Sequence, residues 1–390
     1  MKSSLIAKKI FNCLNKISKK KIHNLHEPYF FNSDISSNKK CLKSTFVSTY
    51  SQVTNKIENE LCKYAKSKYS VATNNGTSAL HLALISIGIK KGDEIILPNF
   101  NFIASANAAL YCQGIPHFLD IENESFGLDP NYMELYLKKN SYKKNGVTYN
   151  KKSGNPIKAI IPTHVFGNSC KIIDIIKVAK KYNLKVIEDA SEALGSFYKN
   201  KHLGTFGDIG ILSFNGNKII TTGAGGAVLT NNQKIYKKIL HISKVSKISN
   251  TFSTYDEIGY NYRMPGLNAS LGISQLRNIK LVLKIKKKIY KNYEKNIGSE
   301  KNFQIIKPIK NSKSNNWLVS IFLNKSSLKL RDKVIKKCHK NKVYVRPAWK
   351  LMNKIKHLKN FQFSKINNSI IAEKSIINLP SSLNILKKKK

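Results

Sequence analysis

The chain has 390 residues, 68 of them basic and 22 acidic, for a formal net charge of +46, and 41% are apolar. At roughly 150 residues per domain this is enough apolar material for a multi-domain globular protein and excludes wholesale disorder. The positive charge is mostly lysine spread along the chain without interleaved aromatic residues, so a base-stacking groove, and with it a nucleic-acid partner, is not expected.

The N-terminal stretch MKSSLIAKKIFNCLNKISKKKIHNLHEP breaks its apolar positions with lysines and lacks the unbroken apolar run of a signal peptide. It reads as a basic amphipathic helix packed on the body, residues 1–27. From about residue 55 to 230, short β-rich runs alternate with helical patterns, which predicts β-α units around a mainly parallel seven-stranded sheet. The strands are expected at 69–73, 94–97, 116–119, 158–162, 185–187, 210–213 and 226–229, within a large α/β domain spanning 28–280. Lys138 to Lys158 reads as a loop, and 268–296 as one long lysine-rich helix leaving the sheet. A smaller α+β domain, 281–390, is expected to contain strands at 317–323 and 343–345 and to end in a solvated lysine tail, 387–390. The six cysteines form no Cys-x-x-Cys pair and have no histidine at zinc spacing. Reduced thiols in a cytoplasmic protein without a metal centre are therefore expected, and no apolar run approaches the ~18 residues of a membrane span.

Four segments at the carboxyl ends of predicted strands carry chemistry, where open α/β sheets hold their ligands. In VATNNGTSALHLAL a strand is followed by Gly76, Thr77 and Ser78 opening a helix, which offers free N–H groups and hydroxyls to an anion, though a plain helix cap reads the same way. VIEDASEALGS ends a buried strand in Glu188 and Asp189, and a carboxylate there is costly to ionise unless a cation meets it. ILSFNGNKIITTGAGGAVLT puts Ser213 at a strand end and Lys218 in a tight turn beyond it. Asp189 and Lys218 are 29 residues apart, one β-α-β step, and can converge from adjacent strands. In GYNYRMPGLNASLGISQL, Asn261 and Arg263 precede a helix.

Together these segments resemble the sugar aminotransferases of the DegT/DnrJ/StrS family, fold-type I enzymes that use pyridoxal phosphate. SFNGNKIITTGAGG stands where the family has its lysine motif, EDASEALGS where it has its acidic motif, and LPNFNFIASANAAL where it has its ring-stacking motif. Within the family, LHEPYF, STFVST, RPAWKLMN and NLPSSLN are similar to the LegC-like group.

The resemblance implies that Lys218 holds pyridoxal 5′-phosphate covalently and shuttles the proton, that Asp189 pairs with the ring nitrogen, and that Phe102 stacks on the ring. It further implies that Gly76, Thr77, Ser78 and Ser213 bind the phosphate, with Asn261 reaching it from a second subunit, so that a homodimer shares its active sites. Glu192 stands where relatives carry a glutamine or histidine near the ring hydroxyl. His164, Arg263, Arg346 and Trp349 are candidate substrate contacts; the bland readings are a hydrogen-bonded histidine, an intersubunit ion pair and packing in the small domain. The implied reaction moves an amino group from glutamate to carbon 4 of a nucleotide-linked 4-keto-6-deoxy sugar, on a path to legionaminic acid, bacillosamine or a related surface sugar. Dehydratases on this fold replace the lysine by histidine, and residue 218 is lysine.

Overall fold

The computed structural model describes residues 2–249 and 251–386. Three helices come first: α1 (Lys2–Ile17), α2 (Asn32–Lys43) and α3 (Gln52–Ala65). Then follow β1 (Tyr69–Thr73), α4 (Gly76–Ser86), β2 (Glu94–Pro98), α5 (Ala104–Tyr111), β3 (Ile115–Leu119) and α6 (Pro130–Asn140). The strands β4 (Ser141–Lys144) and β5 (Val147–Asn150) lead into β6 (Pro156–Ile160), α7 (Ile172–Lys181) and β7 (Lys185–Asp189). After the short β8 (Phe197–Tyr198) and β9 (Lys201–His202) come β10 (Ile209–Ser213), β11 (Gly226–Thr230), α8 (Gln233–Ile242), β12 (Lys247–Ser249) and β13 (Thr254–Tyr255).

The large sheet runs β1-β11-β10-β7-β6-β2-β3, with β5 and β4 added beside β6. Strands β10, β7, β6, β2 and β3 pair in parallel, and only β11 among the seven runs against its neighbours. These strands are legible because both faces are covered: Ile95, Ile96, Ile160, Ile187 and Ile211 are all fully buried.

Two expectations are corrected here. Lys138 to Lys158 is not a loop: β4 and β5 form a hairpin whose turn, Asn145-Gly146, takes positive φ at both residues (50° and 75°), and β5 pairs with β6, so the sheet has nine strands. The long helix is two, α9 (Gly266–Arg277) and α10 (Ile279–Ile297), separated at Asn278. The Asn278 side chain donates to the Ser274 carbonyl (3.1 Å) and to Ser33 Oγ (3.2 Å), a local alternative to continuing the helix.

The second sheet comprises β14 (Ser299–Glu300), β15 (Phe303–Ile305), β17 (Val319–Leu323), β18 (Arg346–Pro347) and β19 (Ile376–Leu379), with β16 (Ser312–Lys313) pairing β8, and with α11 (Leu328–Lys340) and α12 (Asn367–Ser375) between strands. The expected strand at 343–345 falls instead at Arg346–Pro347, on the edge beside β19. Helix α1 packs on this unit. Ile6, Ile10 and Leu14 share a core with Ile289 and Tyr293 of α10, Val334 and Cys338 of α11, and Ile321 of β17. The lysine run 387–390 lies outside the described residues.

Candidate active site

The carboxyl ends of β1, β10 and β7 lie along one edge of the sheet, with the start of β11 between the first two. Thr73 and Ser213 are both in register with Gly226 of β11. A Cβ on Gly226 would lie 2.7 Å from the Asn75 carbonyl carbon and the Gly76 nitrogen, so β11 approaches the turn that opens α4 only without a side chain. A Cβ on Gly76 would in turn be 3.2 Å from Ser213 Cβ and 3.5 Å from Ser191 Oγ. The start of α4 and two hydroxyls therefore crowd one spot. Asn75 caps the helix by accepting the Ser78 N–H (2.8 Å), which leaves the Gly76 and Thr77 N–H groups without an intrahelical acceptor.

Strand β7 delivers two carboxylates to opposite sides, as alternation in a strand requires. Glu188 turns inward and accepts from the backbone N–H groups of Gly204 (2.9 Å), Phe206 and Gly207 (2.7 Å). Asp189 turns toward α5, accepting from Ser105 Oγ (2.8 Å) and the Ser191 N–H (3.2 Å). Asp189 is buried, and no ion pair to it is formed among the described residues.

Lys218 sits in the turn after β10, its N–H bonded to the Asn215 carbonyl (3.0 Å). Its Nζ lies 3.3 Å from Glu192 Oε1 and 4.2 Å from the centre of the Trp317 ring. The other Glu192 oxygen accepts the Phe166 N–H (2.9 Å). Burial pushes the Glu192 carboxyl above the usual carboxylate range, against the opposing pull of the Lys218 charge and that N–H. Trp317, Ser105, Ser191 and Asn315 were not singled out in the sequence. Ser191 lies within the acidic motif EDASEALGS and was legible there, whereas Trp317 and Asn315 come from the segment ahead of β17 with no local signal.

The remaining expected residues are placed as follows. Phe102 is 54% exposed, with its N–H on the Asn101 side chain (2.7 Å), three residues ahead of the serine that binds Asp189. Trp349 packs on Phe166 (5.1 Å between centroids) and Phe100 (5.2 Å), within reach of the Glu192 neighbourhood. Thr77 is half-buried and Ser78 buried at the helix start. Asn261 is exposed, its backbone bridged to Lys244, and Arg346 is exposed on the edge of the second sheet.

Two of the expected substrate contacts are engaged inside the chain. His164 is fully buried, with Nε2 3.0 Å from Glu188 Oε2 and Nδ1 accepting the Cys170 N–H (3.3 Å), so both ring nitrogens are engaged in the interior. Arg263 is 3% exposed and forms an ion pair inside its own chain with Glu58, which also accepts the Ala72 N–H (2.7 Å).

The donor set fits pyridoxal 5′-phosphate. A buried carboxylate without a cationic partner suits a protonated ring nitrogen, the cluster of Gly76, Thr77, Ser191 and Ser213 suits a phosphate, and the Lys218 amine stands beside Glu192 on the turn that follows Ser213.

Comparison with known proteins agrees with this geometry. Residues 31–389 match the DegT/DnrJ/EryC1/StrS aminotransferase family. The chain is 39% identical to the GDP-perosamine synthase of Escherichia coli O157:H7 over 281 residues, 72% of each chain. It is 36% identical over 293 residues to a UDP-4-amino-4,6-dideoxy-N-acetyl-beta-L-altrosamine transaminase of Campylobacter jejuni, covering 75% of this chain and 74% of the relative. Among solved structures, Helicobacter pylori PseC, an aminotransferase of pseudaminic acid biosynthesis, superposes with a TM-score of 0.83 at 25% identity over 93% of this chain and 94% of that one. The chain belongs to the DegT/DnrJ/EryC1/StrS aminotransferase family and is a pyridoxal-phosphate-dependent transaminase.

Proposed function

We propose that the enzyme transfers an amino group from glutamate to the carbon 4 keto group of a 4-keto-6-deoxyhexose carried on a nucleoside diphosphate, for a surface sugar of the cell. The observation that carries this reading is the placement of the Lys218 amine beside Glu192 on the turn after β10, next to the strand that ends in Asp189. Pyridoxal phosphate, when bound, supplies the electron sink for the transfer. Lys218 holds the cofactor covalently and, once released, carries the proton at Nζ between donor and acceptor carbons. Asp189 keeps a positive charge on the ring nitrogen, and the Gly76 and Thr77 N–H groups with Ser78, Ser191 and Ser213 bind the phosphate. Glu192, protonated more readily than an ordinary carboxyl, offers a hydrogen bond at the ring hydroxyl.

The LegC-like motifs favour a UDP-linked 2-acetamido sugar on a path to legionaminic acid, bacillosamine or a relative, whereas likeness to a GDP-perosamine synthase favours a GDP-linked sugar. Incubating the enzyme with glutamate and a panel of UDP-, GDP- and dTDP-linked 4-keto sugars, read by product mass, decides between them. Loss of oxygen without gain of nitrogen would sink the transaminase reading of the sugar step.

Two exposed apolar groups, Phe46 and Tyr50 ahead of α3 and Phe252 and Ile258 around β13, fit burial against a second copy, and Asn261 follows the latter group. The expected homodimer would then complete each site with the partner's phosphate contact. Mixing the inactive variants Lys218→Ala and Asn261→Asp should restore activity in heterodimers. If heterodimers form and recover nothing, the shared-site assignment fails. Among the described residues no helix is long and apolar enough to cross a membrane. All six cysteines are free thiols, which suits the reducing cytoplasm.

A further inference from the structure

Trp317 stands just ahead of β17, far from Lys218 in sequence, yet every polar group it has is committed. Its backbone N–H donates to Asn315 Oδ1 (2.8 Å), and Asn315 is itself fixed by donating to the carbonyls of Glu192 (2.8 Å) and Leu194 (2.9 Å). Its carbonyl accepts from Nζ of Lys286 (2.7 Å), a fully buried lysine whose amine also donates to the Ser381 carbonyl (2.6 Å). Its indole N–H donates to the carbonyl of Asn217 (2.6 Å), the residue immediately before Lys218. The ring is 5% exposed, and its face lies 4.2 Å from Lys218 Nζ.

A tryptophan tied at both backbone groups and at its ring nitrogen cannot yield when a flexible lysine side chain moves over it. The aromatic face attracts a cation, while the Asn217 bond pins the turn from which that lysine springs. We propose that Trp317 is a positioning residue for Lys218: its ring fixes where the amine sits and its N–H fixes the turn that bears it. The second sheet, through β17, thereby sets the placement of a reactive group that belongs to the first. The inference rests on the reading of Lys218 as the cofactor-holding lysine.

The chain has only two tryptophans, Trp317 and Trp349, so fluorinated tryptophan can be introduced and read at two resonances, assigned with Trp317→Phe and Trp349→Phe. In the cofactor-free protein, Lys218→Ala should shift the Trp317 fluorine signal and leave that of Trp349 in place. An unmoved Trp317 signal overturns the contact. In the wild type with added pyridoxal phosphate, borohydride trapping followed by peptide mapping should mark Lys218. A mark on another lysine would overturn the reading of Lys218 itself, a failure distinct from that of Trp317.

Replacing tryptophan by mono-, di- and trifluorinated analogues weakens the ring's attraction for a cation with little change of shape. Trapping at Lys218 and kcat should then slow stepwise, roughly threefold to tenfold across the series, with KM for the sugar unchanged, the effect retained in a Trp349→Phe background and absent in a Trp317→Phe background. Trp317→Leu, which loses face and N–H together, should slow trapping further than Trp317→Phe. Equal trapping rates across the fluorinated series and in Trp317→Leu would overturn the proposal, and the fluorinated proteins keep the test valid if the leucine variant does not fold.

Discussion

Glu188 and Asp189 are neighbours in sequence whose carboxylates serve opposite sides of β7. Glu188 accepts three backbone N–H groups from the loop after β9, and Asp189 faces Ser105 and Ser191 at the end of the strand where the ligand groups gather. One carboxylate holds the scaffold and the other is turned toward chemistry.

The two should separate cleanly on substitution. Asp189→Asn keeps a side chain able to satisfy Ser105 and should retain the fold and bound cofactor, while kcat falls on the order of 10² because the ring nitrogen loses its counter-charge. Glu188→Gln should leave one or more of the three N–H groups poorly met and lower stability by about 2 kcal/mol. Urea unfolding and steady-state kinetics on both variants check this, and a stability loss confined to Asp189→Asn would contradict the division.

His202 gives the fold a titration of its own. It is buried beside Tyr64 and Phe197, its Nε2 accepts the Gly195 N–H (3.0 Å), and burial pushes the imidazole down to about 4. A lowered value means the neutral ring contributes stability that is complete above the unfolded value near 6.5 and is lost as pH falls through 4. The loss over that window should be about 3 kcal/mol. Measured in parallel, the stability difference between wild type and His202→Gln should shrink as pH drops from 7 to 4 (the interval that brackets the window just given). A difference independent of pH would refute it.

The Arg263–Glu58 pair should behave as a buried unit. Removing only the guanidinium in Arg263→Met strands a buried carboxylate and should cost about 3–5 kcal/mol, while the double variant with Glu58→Met should recover much of that. Arg263 is bridged to Thr73 and Glu58 holds the Ala72 N–H at the end of β1, so each single variant that folds should also loosen the turn opening α4 and weaken cofactor retention, which the double variant should restore in part. A double-mutant cycle by denaturant unfolding, with cofactor retention measured alongside, tests both statements.

Leu14 of α1 is 1% exposed in the core shared with α10, α11 and β17. Leu14→Ala should destabilise the protein by about 3 kcal/mol through lost burial and the cavity left behind. Thermal unfolding checks it. A change near zero would mean that α1 lies loosely on the surface.

The strands were legible where burial on both faces forces a run of apolar residues, as in Glu94–Pro98 and Ile209–Ser213. The β4–β5 hairpin was misread because Lys143, Lys144 and Thr148 carry no apolar pattern, although Asn145-Gly146 is the turn pair that such a hairpin needs. The break at Asn278 was hidden because an apolar period crosses it intact. At the site, Lys218, Asp189 and the residues opening α4 could be read because each sits at the end of its own strand. Arg263 could not, since its partner Glu58 is 205 residues away, and nothing local distinguishes a cation aimed at a substrate from one paired in the interior.

The docking of α1 has a consequence for synthesis. Its partners on α10 and α11 are translated only after about two thirds of the chain has followed it, a wait on the order of tens of seconds at ~5–20 residues per second. Through that interval Ile6, Ile10 and Leu14 lack these partners; Lys8 and Lys9 stand between the first two and Lys16 follows the third on the same helix. Charges placed among apolar positions disfavour association of such a helix with other nascent chains, and one of them, Lys9, ends in an ion pair with Glu300 (2.9 Å) once the second sheet has formed.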